Sequence, residues 1–147
     1  MQLLAEKRPA IAIVEIDLED RSGFDLASDL AMRQRDTRVV FYSAAMPDIF
    51  VEQAMRSKAS GYVLKTDSLN SLLAAVREVA AGRRYFSEEI RQKLVLDSAT
   101  GQMKPAFETP LARLSDRQIE VLRNLAFGLS VKDVARKMHI SVKSCLL

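Results

Sequence analysis

The chain has 147 residues, 48% of them hydrophobic and 28% charged, with a net charge of +3. That balance excludes a wholly disordered chain, and no run of about 18 apolar residues marks a membrane span. The opening MQLLAEKRPA holds no apolar stretch long enough for a secretory signal, and the one cysteine, Cys145, has no partner within the chain, so the expected compartment is the cytoplasm.

In chain order, three short apolar runs alternate with helical patterns. Ile11 to Val14, Val39 to Tyr42 and Tyr62 to Leu64 read as strands buried on both faces. Between them, Phe24, Ala27, Leu30 and Ala31 share one helical face, and Phe50, Val51, Ala54 and Met55 share another. The clearest helix follows the third strand, with Leu69, Leu72, Leu73, Val76, Val79 and Ala80 at steps of three and four. Asp67 or Ser68 is its expected cap and Gly82 its end. Strands alternating with helices imply a parallel sheet with helices on both faces. Residues 89–110 start helix-like, then collect Ser, Thr, Gly and two prolines, and read as a short helix and a flexible linker.

The last segment differs in charge. Residues 111–147 carry seven Lys/Arg against three Asp/Glu, whereas residues 1–89 carry 12 against 14. A basic segment of this size suits a polyanion, or is a solvated helical surface. Ser115 caps a helix over residues 116–126 that places Ile119, Leu122 and Ala126 on one face, with Val121 and Leu125 beside them. Gly128 ends it. Ser130 caps a second helix whose Val134, Ala135 and Met138 face inward, and Ser141 caps the start of a third. Two short helices, a turn and a third helix form a helix–turn–helix. His139, in the turn, has no second metal ligand near it in sequence and reads as structural.

Ligands of open α/β sheets bind at the carboxyl ends of the strands. Glu15 and Asp17 end the first run, Ser43 the second and Lys65 the third. In IVEIDLEDRSG, VVFYSA and GYVLK this set resembles the receiver domain of two-component response regulators, over roughly residues 1–90. LSDRQIEVLRNLAFGLSVKDVARKMHISVKS resembles the LuxR-type DNA-binding domain, which makes the whole chain similar to the NarL/FixJ branch. The implied fold is a partial flavodoxin-like, CheY-like receiver at 1–88 with about three parallel strands and flanking helices. A linker at 89–110 and a small all-α helix–turn–helix module at 111–147 follow.

The resemblance implies aspartyl phosphorylation assisted by Mg²⁺ and lysine. It places the phosphoacceptor eight residues before Gly23, where this chain has Glu15, and puts Glu19 where the family has a proline. Glu15 either mimics the charged state against Ser43 and Lys65 or marks a decayed site. Ser43 and Lys65 are the implied phosphate contacts. Tyr62 is either a switch aromatic or sheet packing. Asp17, two residues on from Glu15, is the only metal candidate, and no resident cofactor is expected. Residues before Ile11 resemble the end of the second receiver helix, so the first strand, first helix, second strand and metal-binding acidic pair are expected to be missing. The third helix of the DNA-binding module is likewise expected to be cut short after Val142 to Leu147.

Lys132, Lys137, Ser141, Lys143 and Ser144 are the expected DNA contacts, with Arg136 available to phosphates. The implied partners are DNA, bound weakly or not at all, a sensor histidine kinase, and a related regulator as dimer partner. The expected function is a degenerate DNA-binding transcriptional response regulator. The alternative is an interaction protein that pairs with an intact homologous regulator. An enzyme is not expected, since the sequence carries no nucleophile–base pair, P-loop or metal cluster.

Overall fold

The computed structural model describes residues 9–18, 22–33, 36–44, 46–110, 113–126 and 128–145. Strand β1 (Ile11–Val14) leads to α1 (Gly23–Arg33), β2 (Arg38–Ser43), α2 (Asp48–Arg56), β3 (Gly61–Leu64) and α3 (Leu69–Ala80). Then come β4 (Tyr85–Phe86), α4 (Glu88–Arg91), β5 (Leu94–Leu96), β6 (Met103–Pro105), α5 (Asp116–Ala126), α6 (Val131–Lys137) and a 3₁₀ turn at Val142–Cys145. Among the described residues no helix is long and apolar enough to cross a membrane.

Strands β1 to β4 form one sheet in chain order, and every pairing is parallel. The sheet has four strands where periodicity suggests about three. Strand β4 is two residues long, too short to show a pattern, and is fixed by Tyr85 N–H donating to Ser60 O and Ser87 N–H to Tyr62 O.

Side chains alternate across the sheet. Ala12, Val14, Val39, Phe41 and Leu64 pack with Phe24, Ala27 and Leu30 of α1 and Phe50, Val51 and Ala54 of α2. Val40 and Val63 pack on the other side with Ala75 and Val79 of α3. Three aromatic contacts knit the larger core, Phe24–Phe41 at 4.9 Å, Phe24–Phe50 at 5.7 Å and Phe41–Tyr62 at 6.0 Å between ring centroids.

Helix α3 departs from its sequence pattern. Of the six apolar positions only Val79 is buried, together with Ala75, while Leu69 and Leu73 are 69% and 44% exposed. Among the described residues a single helix lies against this side of the sheet, so Leu72 packs at the margin of its core while Leu69 and Leu73 stay outside it. Ile13, on the same side of the edge strand β1, is also half exposed. Ser68 is the cap, accepting from Ser71 N–H at 3.3 Å, and Asp67 instead accepts from Leu64 N–H at 3.1 Å.

Residues 89–110 are structured beyond the expected short helix. β5 and β6 form an antiparallel hairpin. Its turn is held by Asp97, which accepts from Ala99 and Thr100 N–H and pairs with Lys104 at 2.7 Å. The Ser, Thr and Gly that suggest a linker are turn residues here.

In the C-terminal part, Ser115 and Gln118 form a reciprocal capping box. Ser130 accepts from Asp133 N–H at 3.2 Å. Val134, Ala135 and Met138 face inward as expected, packed with Val121 and Cys145. Helix α5 is rotated from its expected face: Ile119, Glu120, Val121 and Asn124 are buried, Leu122 and Leu125 are half-buried and Ala126 is exposed. The face includes polar residues because it packs on two neighbours, α6 and the sheet domain. After Ser141, whose hydroxyl accepts from Ser144 N–H at 3.1 Å, the chain makes a 3₁₀ turn rather than the start of an α-helix. Glu19, Leu146 and Leu147 lie outside the described residues.

Candidate functional site

Strand β1 ends at Val14, and Glu15 follows at the rim of the sheet. Its Oε2 lies 2.5 Å from Lys65 Nζ, just past β3. Its Oε1 accepts from Ile16 N–H at 2.7 Å and Asp17 N–H at 3.4 Å, and Ser43, at the end of β2, bonds the same carboxylate. The register explains the convergence. Parallel pairing aligns Val14 with Phe41 and Ser43 with Leu64, so the three strands finish side by side. Burial pushes the Glu15 carboxyl up, but Lys65, Ser43 and the two backbone donors together hold it below the ordinary range of 4.5. The same contact raises the Lys65 ammonium.

Gly23 makes the closure possible. Its N–H donates to Ile16 O at 2.8 Å. A Cβ at this position would lie 2.2 Å from Glu15 O and 2.9 Å from Ile16 Cα. Only glycine lets α1 start this close to the strand-end loop.

The structure thus brings Glu15, Ser43 and Lys65 together. Tyr62 lies one layer below, fully buried against Phe41, and burial drives its hydroxyl far above the usual range. Asp17 does not join the cluster. In an extended strand its side chain would share Glu15's side, but the strand has ended and the carboxylate turns to Arg123 of α5, 2.9 Å away. Both carboxylates therefore face cations of the chain, and among the described residues no three His, Cys, Asp or Glu side chains converge. Each already neutralised by a cation and turned away from the other, these two carboxylates do not fit Mg²⁺ as they stand.

The expected DNA contacts lie on α6 and on the segment that follows it. Lys132, Lys143, Ser141 and Ser144 are exposed. Ser141 and Ser144 bond each other at 2.8 Å. Arg136 pairs with Asp133 at 3.4 Å. Lys137 turns back to Asn124 Oδ1 at 3.1 Å and lines the cleft between α6 and α1.

The sequence reading missed the contact between the two parts. Arg123 reaches Asp17 and lies 5.9 Å from the Phe50 ring centroid. Arg56 Nη1 donates to Leu114 O at 2.9 Å, and Thr109 Oγ1 to Glu52 Oε2 at 2.6 Å. Glu120 packs beside Asp25 of α1, and burial, then the Asp25 contact, push its carboxyl from 4.5 to about 7. The one available signal is a glutamate flanked by Ile119 and Val121, which marks a charge on a buried face without naming what covers it.

The response regulator receiver domain family matches residues 1–77, and the luxR family of bacterial regulatory proteins matches residues 112–145. The response regulator GacA of Pseudomonas aeruginosa is 28% identical over 98% of this chain and 66% of its own length. BvgA, a virulence transcription regulator of Bordetella pertussis, is 27% identical over 98% of this chain and 67% of its own length. A crystal structure of a LuxR-family two-component response regulator from Aurantimonas sp. superposes with a TM-score of 0.59 at 26% identity, covering 62% of this chain and 65% of that one. The chain spans about two thirds of the length of the curated relatives it matches. Residues 1–77 and 112–145 together identify it: the chain belongs to the LuxR-type response regulators, a receiver domain followed by a luxR-family regulatory segment.

Proposed function

We propose that this chain is a DNA-binding transcriptional regulator by descent whose receiver no longer takes a phosphoryl group, because Glu15 stands permanently in the charged state. The 2.5 Å contact of Glu15 with Lys65, shared with Ser43, carries this reading. Those are the groups that the resemblance assigns to the phosphoryl group, and here a carboxylate already satisfies them. The extra methylene of glutamate, about 1.5 Å, also moves the carboxylate off the line that attack on phosphorus requires.

DNA is the partner that the luxR-family segment favours. Lys132, Lys137 and Lys143 supply phosphate contacts, and Ser141 and Ser144 begin the third helical segment. The affinity expected of this set is mostly sequence-independent and falls steeply with salt. A sensor histidine kinase and a related regulator as dimer partner belong to the same reading, in the cytoplasm.

The test has two arms. Incubated with acetyl phosphate and Mg²⁺, the protein is expected to remain unlabelled, and labelling of Glu15 would overturn the proposal. In gel shifts at low salt, Glu15→Gln is expected to bind DNA more weakly than the parent, while equal affinity would reduce the site to a decayed remnant.

A second reading has its own observation. Strand β1 is the sheet edge among the described residues, and Ile13, Leu69 and Leu73 are exposed on its side of the sheet. Such an edge suits pairing with an intact homologous regulator. Co-purification with a full-length regulator, without DNA affinity, would favour it.

A further inference from the structure

Away from the Glu15 cluster, a second set of charges gathers where α5 meets α1. Glu120 is only 8% exposed and meets Asp25 of α1, one carboxyl against another. They lie in a cleft of about 500 Å³ whose other charged walls are Asp29, Arg117, Lys137 and His139. Two ionised carboxylates in contact repel, and a single proton turns that repulsion into a hydrogen bond. One turn along α5, Arg123 makes its ion pair with Asp17 and covers Phe50. The docking face therefore has one contact that is complete with both partners ionised and one that needs a proton.

We propose that the Glu120–Asp25 pair is a proton-operated clasp between the helix–turn–helix segment and the receiver, closed while a proton on Glu120 joins the two carboxyls and loosened when Glu120 ionises. The direction follows from linkage. Burial and Asp25 raise Glu120 from 4.5 to about 7 in the docked form, against the pull of Arg123 and Arg117. Docking thus takes up a proton between those two values. It weakens by up to about tenfold per pH unit across that window and levels off above it. Lys137 stands in the wall of the same cleft, so loosening the clasp widens the space around one of the cations offered to DNA phosphates. His139 also lines the cleft, so replacing this one other wall residue is the control.

Hydrogen–deuterium exchange of the full chain between pH 5.5 and 7.5 tests the clasp, with α3 amides as the internal reference for the intrinsic pH dependence of exchange. Protection of α5 amides relative to α3 is expected to fall about tenfold over that range. Glu120→Gln should abolish the fall, Asp25→Asn should shrink it because the burial of Glu120 remains, and His139→Asn, which tolerates the left-handed backbone there, should keep it. Constant relative protection in the parent protein overturns the proposal. So does a fall that survives in Glu120→Gln or is undiminished in Asp25→Asn, or one that vanishes in His139→Asn. Should Glu120→Gln not fold, Asp25→Asn decides alone.

Discussion

Glu15 and Glu120 are the same side chain in two regions of one molecule, and burial pushes both carboxyls towards the neutral form. Their partners decide the outcome. Beside Lys65, Ser43 and two backbone donors, Glu15 ends below its ordinary 4.5. Beside Asp25, Glu120 ends at about 7. The pH consequences are opposite. The stabilisation at Glu15 is present above 4.5 and is lost as pH falls through its lowered value. The stabilisation at Glu120 is complete below 4.5 and is lost as pH rises through about 7. Acid therefore weakens the strand-end cluster while it tightens the junction, so one titration separates the two regions.

The largest effect is expected where the Glu15 region has no slack. In Gly23→Ala the new Cβ meets backbone atoms, Glu15 O at 2.2 Å and Ile16 Cα at 2.9 Å, and backbone cannot turn aside as a side chain would. Thermal or urea unfolding should show a loss of about 3 kcal/mol, at the upper end of ordinary overpacking. The Glu15 carboxyl, followed by NMR, should move back towards 4.5 as its cluster shifts. A loss under about 1 kcal/mol would mean that the loop yields and that α1 does not hold the carboxylate in place.

At the junction the comparable substitution is Arg123→Ala. Its side chain is 15% exposed, and it gives up both the Asp17 pair and the cover over Phe50. Asp17 is itself half exposed, so water compensates it in part, and the expected cost is about 1–2 kcal/mol. The informative quantity is its pH dependence. The ion pair and the cover over Phe50 do not involve the Glu120 proton, so the loss in urea unfolding should be the same at pH 6 and pH 8. A cost that grows with pH would show that Arg123 acts mainly by offsetting Glu120, and the two contacts would then be one.

The Glu15 region was more legible in the sequence than the junction, for a physical reason. Strand ends that carry function come from consecutive runs, so Glu15, Ser43 and Lys65 could be placed on one rim by counting along each strand. Gly23 fixed the register. The junction is tertiary: Arg123, Glu120 and Asp25 meet only because α5 rolls its Ile119–Val121 face onto other elements, which no local period encodes. The same limit explains α3, whose apolar stripe at Leu69 and Leu73 is half unused because a period reports what could be buried, not what arrives to bury it. β4 and the β5–β6 hairpin were missed through length, since two or three residues cannot display alternation.

Helix ends offer the finest comparison of the two regions. Four helices close with the same pair of hydrogen bonds. The N–H of the residue two beyond the last helical one bonds back three residues, and the next N–H bonds back five. In the receiver, α2 closes through Lys58 and Ala59 and α3 through Gly82 and Arg83, while in the C-terminal segment α5 closes through Gly128 and Leu129 and α6 through His139 and Ile140. The first residue of each pair is left-handed, with φ of 56° at Lys58, 83° at Gly82, 85° at Gly128 and 51° at His139. The glycines adopt this freely, whereas Lys58 and His139 carry a cost of about 1–2 kcal/mol. Glycine returns about 0.5–1 kcal/mol of that through the entropy of the unfolded chain. Lys58→Gly and His139→Gly should therefore each stabilise by about 0.5–1 kcal/mol, one in each region. All three tyrosines, Tyr42, Tyr62 and Tyr85, lie in the receiver, so tyrosine fluorescence follows that region alone. At pH 6, with the clasp largely closed, His139→Gly should raise the tyrosine unfolding midpoint as Lys58→Gly does, because the two regions unfold together. At pH 8 only Lys58→Gly should still move it. If His139→Gly leaves the tyrosine midpoint unchanged at both values, the regions unfold independently, and the α5–α1 contact is too weak for its proton to matter.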